Sequence, residues 1–462
     1  MTQRKLRSPR PSPVELLPVF QAMLPGEVVA DLVAHSGPSF YQRLFTPLLV
    51  VWGFIYQRLH PDHTAGAAVS YFASGAADML GPANKPACSA RLKSTNTSAY
   101  CQARQRLPAG VLAGSLHHTA QATRAEVGDA GRWLGHPVGL LDGTTLLLRP
   151  EAPLVAHYGQ PHNQHGAAYW VLMRVVVVFC LFTGVAVQVA DGPYRTSEQA
   201  LAAQLFAQAL AESVYVGDRG FGIFSVAQAA RHANLWIVLR LTRARARRLA
   251  QHALGWGRDD LVHWAPSPLD QCHAAMAQTP IAGRLITVRL EKPGFRPVEL
   301  FLFTTLTDTV RYVTAAIIAL YGRRWQVELD LRYVKSTLQM EELTGQRVAM
   351  VQKELLAGLL AYNLVRGFMT HAAQTTAQAP LALSFTQAWR CVRDFVFQPG
   401  PRTAASCQQF LQRLARCRLA KHPDQRHEPR KLRRHPAVYP SLKGSRAEAR
   451  QQLQQQQAPA KS

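Results

Sequence analysis

The stretch LYGRRWQVELDLRYVKSTLQMEEL, from Leu320 to Leu343, carries a phenol, a guanidinium, a carboxylate and an ammonium group at regular separations. These groups belong to Tyr321, Arg324, Glu328 and Lys335. At about 100° per residue, a single α-helix would place all four within roughly 60° of one another. A carboxylate can bind a divalent cation, and cationic neighbours can bind phosphate oxygens. The pattern is typical of a phosphoryl-transfer site, although a solvated helix face can contain the same residue types.

The charge of the whole chain indicates a polyanionic partner. Its 462 residues include 52 Lys and Arg against 28 Asp and Glu, which gives a formal net charge of +24. Such a protein is attracted to polyanions, and nucleic acid is the expected partner. A membrane surface is the rival, but the basic residues are spread along the chain instead of lying on one amphipathic helix. The longest uncharged apolar run, from Val175 to Val187, is too short to span a bilayer, so no membrane is expected.

Length and cysteine content limit the class of protein. A chain of this length favours two to four domains, and its 48% of hydrophobic residues can build a sizeable core. Seven cysteines without a Cys-x2-Cys pair argue against both a disulfide framework and a zinc ribbon. Near the N-terminus, prolines and Glu15 interrupt the sequence before a signal-type apolar core develops. We therefore expect a cytoplasmic protein.

Residues 1–133 are basic and are predicted to form a helical DNA-binding region. Within them, SAYCQARQRLP (Ser98 to Pro108) has a serine that can cap a helix and a proline that can end one. Its Arg104 and Arg106 could contact DNA phosphates, or could be solvated on a structural helix.

Residues 134–241 alternate between strand and helix patterns, which predicts the first part of an α/β catalytic core. The segment from Val138 to Leu148 is predicted as two strands joined at Asp142-Gly143, because Asp-Gly favours tight hairpin turns. Valine-rich strands are predicted from Tyr169 to Phe179 and from Val185 to Ala190. Three antiparallel-type strands followed by alternating helices and strands indicate a mixed sheet.

Residues 242–308 interrupt this alternation, and we predict a β-rich insertion there; the core resumes over residues 309–372. The insertion opens with RARARR, whose Arg243, Arg245 and Arg247 are expected to contact DNA. Residues 373–420 are predicted to be helical, and residues 421–462 form a basic tail that ends in low-complexity sequence and is predicted to be disordered. Further DNA contacts are expected from the tail residues Arg430, Lys431, Arg433 and Arg434. A basic run can also be only a solvated surface.

Two further carboxylates accompany Glu328. Asp142 ends the apolar run that begins at Val138, and Asp218 ends the run that begins at Val214. A carboxylate at the end of a buried strand is rigidly placed and still accessible, which suits a metal ligand. With Glu328, the two aspartates could bind two Mg²⁺ ions about 4 Å apart, with Mn²⁺ as a substitute. Each aspartate alone could instead belong to a turn.

The order of these motifs resembles that of the DDE transposases of bacterial insertion sequences. The spacing Tyr-x2-Arg-x3-Glu-x6-Lys is similar to the YREK signature of one group of them, which includes relatives of the transposon five and transposon ten enzymes. Leu141-Asp142-Gly143-Thr144 and Gly217-Asp218-Arg219-Gly220-Phe221 resemble the segments of the first and second catalytic aspartates. SAYCQARQRLP and the tail segment HEPRKLRRHPAVYPSLKGSR also resemble family segments.

This resemblance implies a ribonuclease-H-like catalytic domain interrupted by the insertion, with helical N-terminal and C-terminal regions for DNA binding and dimerisation. It implies that Asp142, Asp218 and Glu328 form a catalytic, metal-binding triad. Tyr321, Arg324 and Lys335 would contact phosphates near the transposon end. It further implies double-stranded DNA as the partner, a homodimer that holds two paired ends, and an aromatic residue in the insertion that receives a flipped base. Trp256 and Trp264 are candidates for that aromatic, and no motif chooses between them.

From these features we expect an enzyme that binds terminal inverted repeats, cuts the DNA ends with the help of metal ions and transfers them to target DNA. Two alternatives remain at this point: a catalytically inactive or regulatory DNA-binding relative, and a ribonuclease-H-fold nuclease without strand transfer. Loss of an acid from the triad would favour the inactive relative, and all three acids are present. A plain nuclease would leave the YREK residues unexplained.

Overall fold

Helices occupy the described chain before residue 133. They are α1 (Gly26–Ala34), α2 (Pro47–Leu59), α3 (Ala65–Ala73), α4 (Cys88–Arg91), α5 (Ser98–Arg106) and α6 (Ala109–Val127). Thr46 caps α2, because its hydroxyl accepts a hydrogen bond from the Leu49 amide at 3.3 Å, and Pro47 suits the first helical turn. Apart from Leu48, every residue of α2 is buried, so α2 forms the centre of this helical region.

The structure, a computed structural model, describes residues 23–36, 44–81, 86–164, 166–250, 252–268, 279–291, 297–397, 404–419 and 445–457. The basic tail residues Arg430, Lys431, Arg433 and Arg434 lie outside the described residues. The chain divides into two units, and the described helix of the second unit is Arg446–Gln457. All the other helices and strands, up to residue 419, belong to the first unit. The exceptions are Leu290, the last residue of one strand, and Val298, the first residue of the next strand.

An eleven-residue strand, β1 (Val138–Leu148), lies at the centre of the main sheet. On one side it pairs antiparallel with β2 (Val171–Cys180), which pairs antiparallel with β3 (Ala186–Pro193). On the other side it pairs parallel with β4 (Val214–Gly217), and β4 pairs parallel with β5 (Trp236–Arg240). The mixed α/β class predicted from the sequence is therefore confirmed.

Helices link these strands and cover the sheet. They are α7 (Ala152–Tyr158), α8 (Glu198–Phe206) and α9 (Phe224–His232). Helices α8 and α9 bury apolar side chains against one face of the sheet, where Val176, Val178 and Ile237 lie. The opposite face, with Val175 and Val177, belongs to a second hydrophobic core that continues into the N-terminal helices.

The predicted turn at Asp142-Gly143 is wrong. Asp142 pairs with Val177 and Gly143 with Val176, so β1 continues through both residues without a turn. The reason is tertiary: the valine-rich β2 offers a hydrogen-bonding partner to ten consecutive residues of β1. This long pairing outweighs the local preference of an Asp-Gly dipeptide for a hairpin.

The region predicted as an insertion extends the same sheet. It contains α10 (Arg243–Leu249) and the strands β6 (Arg258–Trp264), β7 (Ile281–Leu290) and β8 (Val298–Thr304). β8 pairs antiparallel with β5, β7 lies next to β8, and β6 pairs antiparallel with β7. The chain boundaries of a separate insertion, like those of the other predicted regions, stay a prediction.

The segment that opened the sequence analysis does not form one helix, so the single helical stripe predicted from its spacing is wrong. Two residues separate α11 (Thr314–Gly322) from α12 (Trp325–Arg332). After α12, Tyr333–Thr337 form a π-helical turn. In that turn, the Leu338 amide donates to the Tyr333 carbonyl at 3.0 Å, five residues back. Gly322 favours a helix end because glycine is a poor helix former, and a π-turn changes the direction of the side chains that follow it.

Three helices complete the first unit: α13 (Val348–Gln374), α14 (Phe385–Phe397) and α15 (Ala404–Ala415). Among the described residues, α13 alone is long and apolar enough to cross a membrane by length and composition. However, 72% of its most apolar window is buried inside the protein, and α6, α14 and α15 pack against it. We therefore interpret α13 as a core helix.

A buried ion pair joins α12 to α13. Arg366 of α13, 2% exposed, donates to the Oδ1 atom of fully buried Asp330 at 2.5 Å. The same oxygen accepts hydrogen bonds from Tyr362 at 3.1 Å and Gln326 at 3.0 Å. Burial raises the pKa of Asp330, although the charge of Arg366 and the hydrogen bonds act against this. The ionised carboxylate therefore depends on its cation.

We expect Arg366→Met to lower the free energy of unfolding by about 3–5 kcal/mol, because it leaves the Asp330 carboxylate buried without a cation. Urea denaturation at pH 7 measures this loss. The matched control is Arg332→Met, which removes an exposed guanidinium from α12 and should change stability by about 0.5 kcal/mol or less. Equal stability of the two variants would show that the ion pair does not hold the helices together.

Candidate active site

Two aspartates meet where β4 ends. In the parallel pair of β1 and β4, the last paired residues are Leu141 and Gly217. Asp142 and Asp218 follow them directly, so the register brings both to the same edge. Asp142 lies inside β1, whereas Asp218 begins the turn after β4 and accepts a hydrogen bond from the Gly220 amide at 2.7 Å.

The environment of Asp142 favours its neutral form. Burial raises the pKa of Asp142 to about 6, and the negative charges of Asp218 and Glu198 act in the same direction. A hydrogen bond from the Gly143 amide at 2.9 Å and the charge of Arg324 act in the opposite direction. Without a bound cation, this group of carboxylates is electrostatically unfavourable.

Arg324 connects the aspartate edge of the sheet to Glu328. Its Nη2 atom donates to the Oε1 atom of Glu328 at 2.5 Å, and its Nη1 atom lies 4.0 Å from the Oδ2 atom of Asp142. Burial acts to lower the pKa of Arg324, but the hydrogen bond to Glu328 and the nearby charges raise it overall. A charged guanidinium therefore lies between two carboxylates that are far apart in the sequence.

Tyr321 lies beside the same group. Its side chain is buried, and burial raises the pKa of its phenol; the positive charges of Arg324 and Arg240 oppose this, and the negative charge of Asp218 adds to it. Arg240 is the last residue of β5, one position after the pair Gly217–Leu239, so it lies level with Asp218. Of the four residues predicted for the stripe, Tyr321 and Arg324 are therefore brought to the aspartates, and Glu328 is brought to Arg324.

Lys335 is placed differently. It lies in the π-helical turn, and its Nζ atom is 3.7 Å from the Oε1 atom of Glu341. Within the described residues, its ion pair is with Glu341 and not with Glu328. A contact between Lys335 and DNA stays a prediction.

The other predicted DNA contacts are distributed over two helices. Arg104 of α5 is largely buried, where it donates to Glu354 at 3.4 Å and lies 4.5 Å from the ring centre of Phe54. Arg106 is exposed. On α10, Arg243 and Arg247 are exposed and Arg245 is half-buried. Roles for these residues in DNA binding stay predictions, and Arg104 also has a structural role.

The two candidate tryptophans differ in exposure. Trp264 is 8% exposed and makes edge-on contacts with Phe224 and Phe303. Trp256 is 39% exposed and contacts Phe301. Trp256 is thus the more accessible of the two to a DNA base.

Sequence reasoning missed two charged groups at this site, Arg240 and Glu198. Arg240 ends the apolar run of β5, and Asp218 directly follows the apolar run of β4. The strand-end pattern that predicted Asp218 could therefore also have predicted Arg240. Glu198 is the first residue of α8, and only its neighbours in space relate it to Asp142. A glutamate at the start of a helix is common, and the sequence alone does not indicate that it lies near an active site.

Carboxylate oxygens are the ligands that Mg²⁺ and Mn²⁺ prefer. Within the described residues, no group of three or more His, Cys, Asp or Glu side chains is close enough to hold one ion. Nevertheless, the Arg324 guanidinium is a cation that lies between Asp142 and Glu328. These two carboxylates therefore face a common space that accepts positive charge, and their oxygen atoms are of the type that a divalent ion prefers.

Parts of this chain are similar to known proteins. Residues 133–364 match the family described as the transposase DDE domain. The chain is 27% identical over 430 residues to the transposase InsG for insertion sequence element IS4 of Escherichia coli (strain K12), which covers 90% of this chain and 91% of that protein. The cryo-EM structure of the piggyBac transposase synaptic complex with hairpin DNA has a TM-score of 0.40 and 9% sequence identity, with 86% of this chain and 82% of that chain covered.

In the metal-free protein, we expect Asp142→Asn to be more stabilising at pH 7.5 than at pH 4. The folded-state pKa of about 6 lies above the ordinary 3.8. Protonation therefore stabilises the folded wild type below about pH 4, and this stabilisation is lost as the pH rises through 6. A shift of about two pKa units corresponds to about 3 kcal/mol.

Urea denaturation with EDTA at both pH values measures the difference between variant and wild type. Asp129→Asn, which changes an exposed aspartate, is the control. A stability difference for Asp142→Asn that does not grow between pH 4 and pH 7.5 would contradict the unfavourable environment of Asp142.

Proposed function

The chain belongs to the transposase DDE domain family, and on that basis we propose that it is an insertion-sequence transposase that binds the terminal inverted repeats of its element. It would cut the DNA ends and transfer them to target DNA. The observation that supports this proposal is that Asp142 and Asp218 lie at the same edge of the sheet and that Arg324 lies between Asp142 and Glu328 of α12. Asp142, Asp218 and Glu328 are the residues that the family resemblance assigns to the catalytic triad.

The chemistry follows from the groups at the site. Two bound Mg²⁺ ions would activate the attacking water or 3′-hydroxyl and stabilise the leaving oxygen. Asp142, Asp218 and Glu328 would hold these ions. Arg324, Arg240 and Tyr321 would bind phosphate oxygens on either side of the scissile bond, because two guanidinium groups and a phenol can donate several hydrogen bonds to one phosphodiester. No covalent enzyme intermediate is needed.

We also propose that the first five strands are the ribonuclease-H-like core of this enzyme. In support, three antiparallel strands are followed along the chain by two parallel ones, and α8 and α9 cover one face. Membership of the YREK group, with the relatives of transposons five and ten, rests on the spacing of Tyr321, Arg324, Glu328 and Lys335. A homodimer on two paired DNA ends and a cytoplasmic location complete the proposal.

The alternatives make different demands on the site. A catalytically inactive or regulatory relative would not need all three acids, nor a cation held between two of them. A nuclease without strand transfer would need the acids and could use the basic residues beside them to bind its substrate, so the site alone does not separate it from a transposase. Strand transfer itself is therefore the activity that separates the second alternative from this proposal.

We expect the purified protein to cut a labelled duplex that carries the element's own end and flank, with Mg²⁺ or Mn²⁺ present. Glu328→Gln should reduce cutting by about 100-fold or more, because a lost metal ligand removes several kcal/mol of transition-state stabilisation. Binding of the duplex should survive. The control is Glu212→Gln, which changes an exposed glutamate.

Three other outcomes are informative. Binding without cutting by the wild type would favour the inactive relative. Cutting without joining to a second duplex would favour the nuclease. Equal cutting by Glu328→Gln and the wild type would show that Glu328 is not the third carboxylate.

We further expect Lys335→Ala to weaken binding of end DNA and to reduce the slope of log K against log salt concentration by about 1, as the loss of one phosphate contact does. Lys335→Arg preserves the charge and serves as the control. Because Glu341 is 64% exposed, loss of its partner should cost little stability. An unchanged salt slope would assign Lys335 to its pair with Glu341 alone.

A further inference from the structure

A polar cavity lies between the N-terminal helices and α13. Its volume is about 500 Å³, within the range of pockets that bind small ligands. Arg58 of α2, Arg104 of α5 and Glu354 of α13 line it, together with Arg149, which directly follows β1. Asp142 precedes Arg149 by seven residues, which corresponds to roughly 20 Å along a strand. The cavity is therefore separate from the candidate active site.

The guanidinium of Arg58 is buried in the wall of this cavity without a hydrogen bond. The side chain is 10% exposed, and its Nη2 atom lies 3.9 Å from the Oε2 atom of Glu354, which is too far for a hydrogen bond. Among the described residues, none accepts a hydrogen bond from Arg58, although a guanidinium carries five N–H donors. Burial lowers the pKa of Arg58; the charge of Glu354 opposes this change, and the charge of Arg104 adds to it. Arg58 therefore lacks the acceptors that a buried charge ordinarily has.

Glu354 does not supply these acceptors, because both of its carboxylate oxygens already have other donors. The Oε2 atom accepts hydrogen bonds from the amides of Thr344 and Gly345, both at 3.0 Å. The Oε1 atom accepts from the Thr344 hydroxyl and from the Nη2 atom of Arg104, both at 3.4 Å. Two guanidinium groups thus lie beside one carboxylate, which leaves one positive charge and the N–H donors of Arg58 without a partner.

The other two acids that line the cavity are more exposed than Arg58 and have partners of their own. Glu342 pairs with Arg149 at 3.3 Å. Asp62 lies 2.6 Å from the Nδ1 atom of His60. These acids therefore leave the positive charge beside Glu354 in place, and the group that would complete the cavity is an anion that accepts hydrogen bonds.

We propose that this cavity is a phosphate-binding site. Arg58 donates hydrogen bonds to the phosphate oxygens, and Arg104 adds positive charge beside it. A guanidinium suits this ligand, because its planar fork binds two oxygens of one phosphate. The phosphate belongs either to a nucleic-acid strand, to which the net charge of +24 attracts the protein, or to a free phosphate compound. The inference goes beyond the proposed function, because it requires neither metal ions nor DNA cleavage.

Binding of inorganic phosphate tests the site. Isothermal titration calorimetry of the full-length protein, at constant ionic strength, should show that the wild type binds phosphate. Arg58→Met removes the charged donors but keeps a long unbranched side chain, so it should weaken phosphate binding by about ten-fold or more. The matched control is Arg132→Met, which removes an exposed guanidinium outside the cavity and should bind phosphate as the wild type does.

Urea denaturation with and without phosphate separates this role from a purely structural one. Phosphate should raise the urea midpoint of the wild type and leave that of Arg58→Met unchanged, because a ligand stabilises only the protein that binds it. A role limited to the pair with Glu354 predicts the same loss of stability in both buffers, and that result would overturn the inference. If Arg58→Met does not fold, Arg58→Lys keeps the charge beside Glu354 but loses the planar fork. Arg58→Lys should bind phosphate more weakly than the wild type, and equal binding would overturn the inference.

The end duplex identifies the source of the phosphate. If the site binds a nucleic-acid strand, Arg58→Met should also weaken binding of the duplex and reduce the slope of log K against log salt concentration by about 1. Weaker binding of phosphate alone, with unchanged binding of the duplex, would assign the site to a free phosphate compound. Unchanged binding of both ligands would overturn the inference.

The same measurements separate this inference from the proposed function. A protein that binds phosphate through Arg58, but does not cut its own end, would support the inference and contradict the proposed activity. A protein that cuts its own end, and whose Arg58→Met variant binds phosphate and the duplex as the wild type does, would contradict the inference alone.

Discussion

Asp142 lies in a strand that is hydrogen-bonded to β2 and β4, next to the negative charges of Asp218 and Glu198. Carboxylates brought together in a partly buried place repel one another, and burial itself favours their neutral forms. Nearby positive charge opposes this repulsion. Arg324 supplies it between Asp142 and Glu328, and Arg174 supplies it at Glu198.

Contacts away from the site fix the helices α11 and α12, which carry Tyr321 and Glu328. Two residues after Glu328, Asp330 points to another side of α12 and is fixed by Arg366 of α13. The region predicted as an insertion makes a second attachment. Its buried Arg284 donates to the carbonyl of Tyr312 at 2.6 Å and pairs with Asp259, which accepts a hydrogen bond from Thr314 at the start of α11. The helices that carry Tyr321 and Glu328 are therefore tied both to the core helix and to the extended sheet.

This construction separates rigid from adaptable parts. Asp330 and Arg284 are buried, and their ion pairs with Arg366 and Asp259 fix the backbone of the elements that they join. The ion pairs of Arg324 and Lys335 are closer to solvent, so their partners can be exchanged at a lower cost. A phosphate group is a natural partner for such side chains. The site thus combines a backbone held by buried contacts with basic side chains that can exchange partners, which suits the proposed binding of DNA and cations.

The sequence by itself determined the chemical groups of this protein and much of its secondary structure. Valine-rich runs predicted β2 and β3, apolar runs that end in aspartate identified Asp142 and Asp218, and residue spacing identified Glu328, because these signals are local. Only the tertiary structure decided the rest. β2 keeps Asp142 and Gly143 in a strand instead of a turn, and the helix predicted as continuous is interrupted between Gly322 and Trp325. The approach of Glu198 to Gly143 joins residues from different elements, and the sequence contains no pattern that links them.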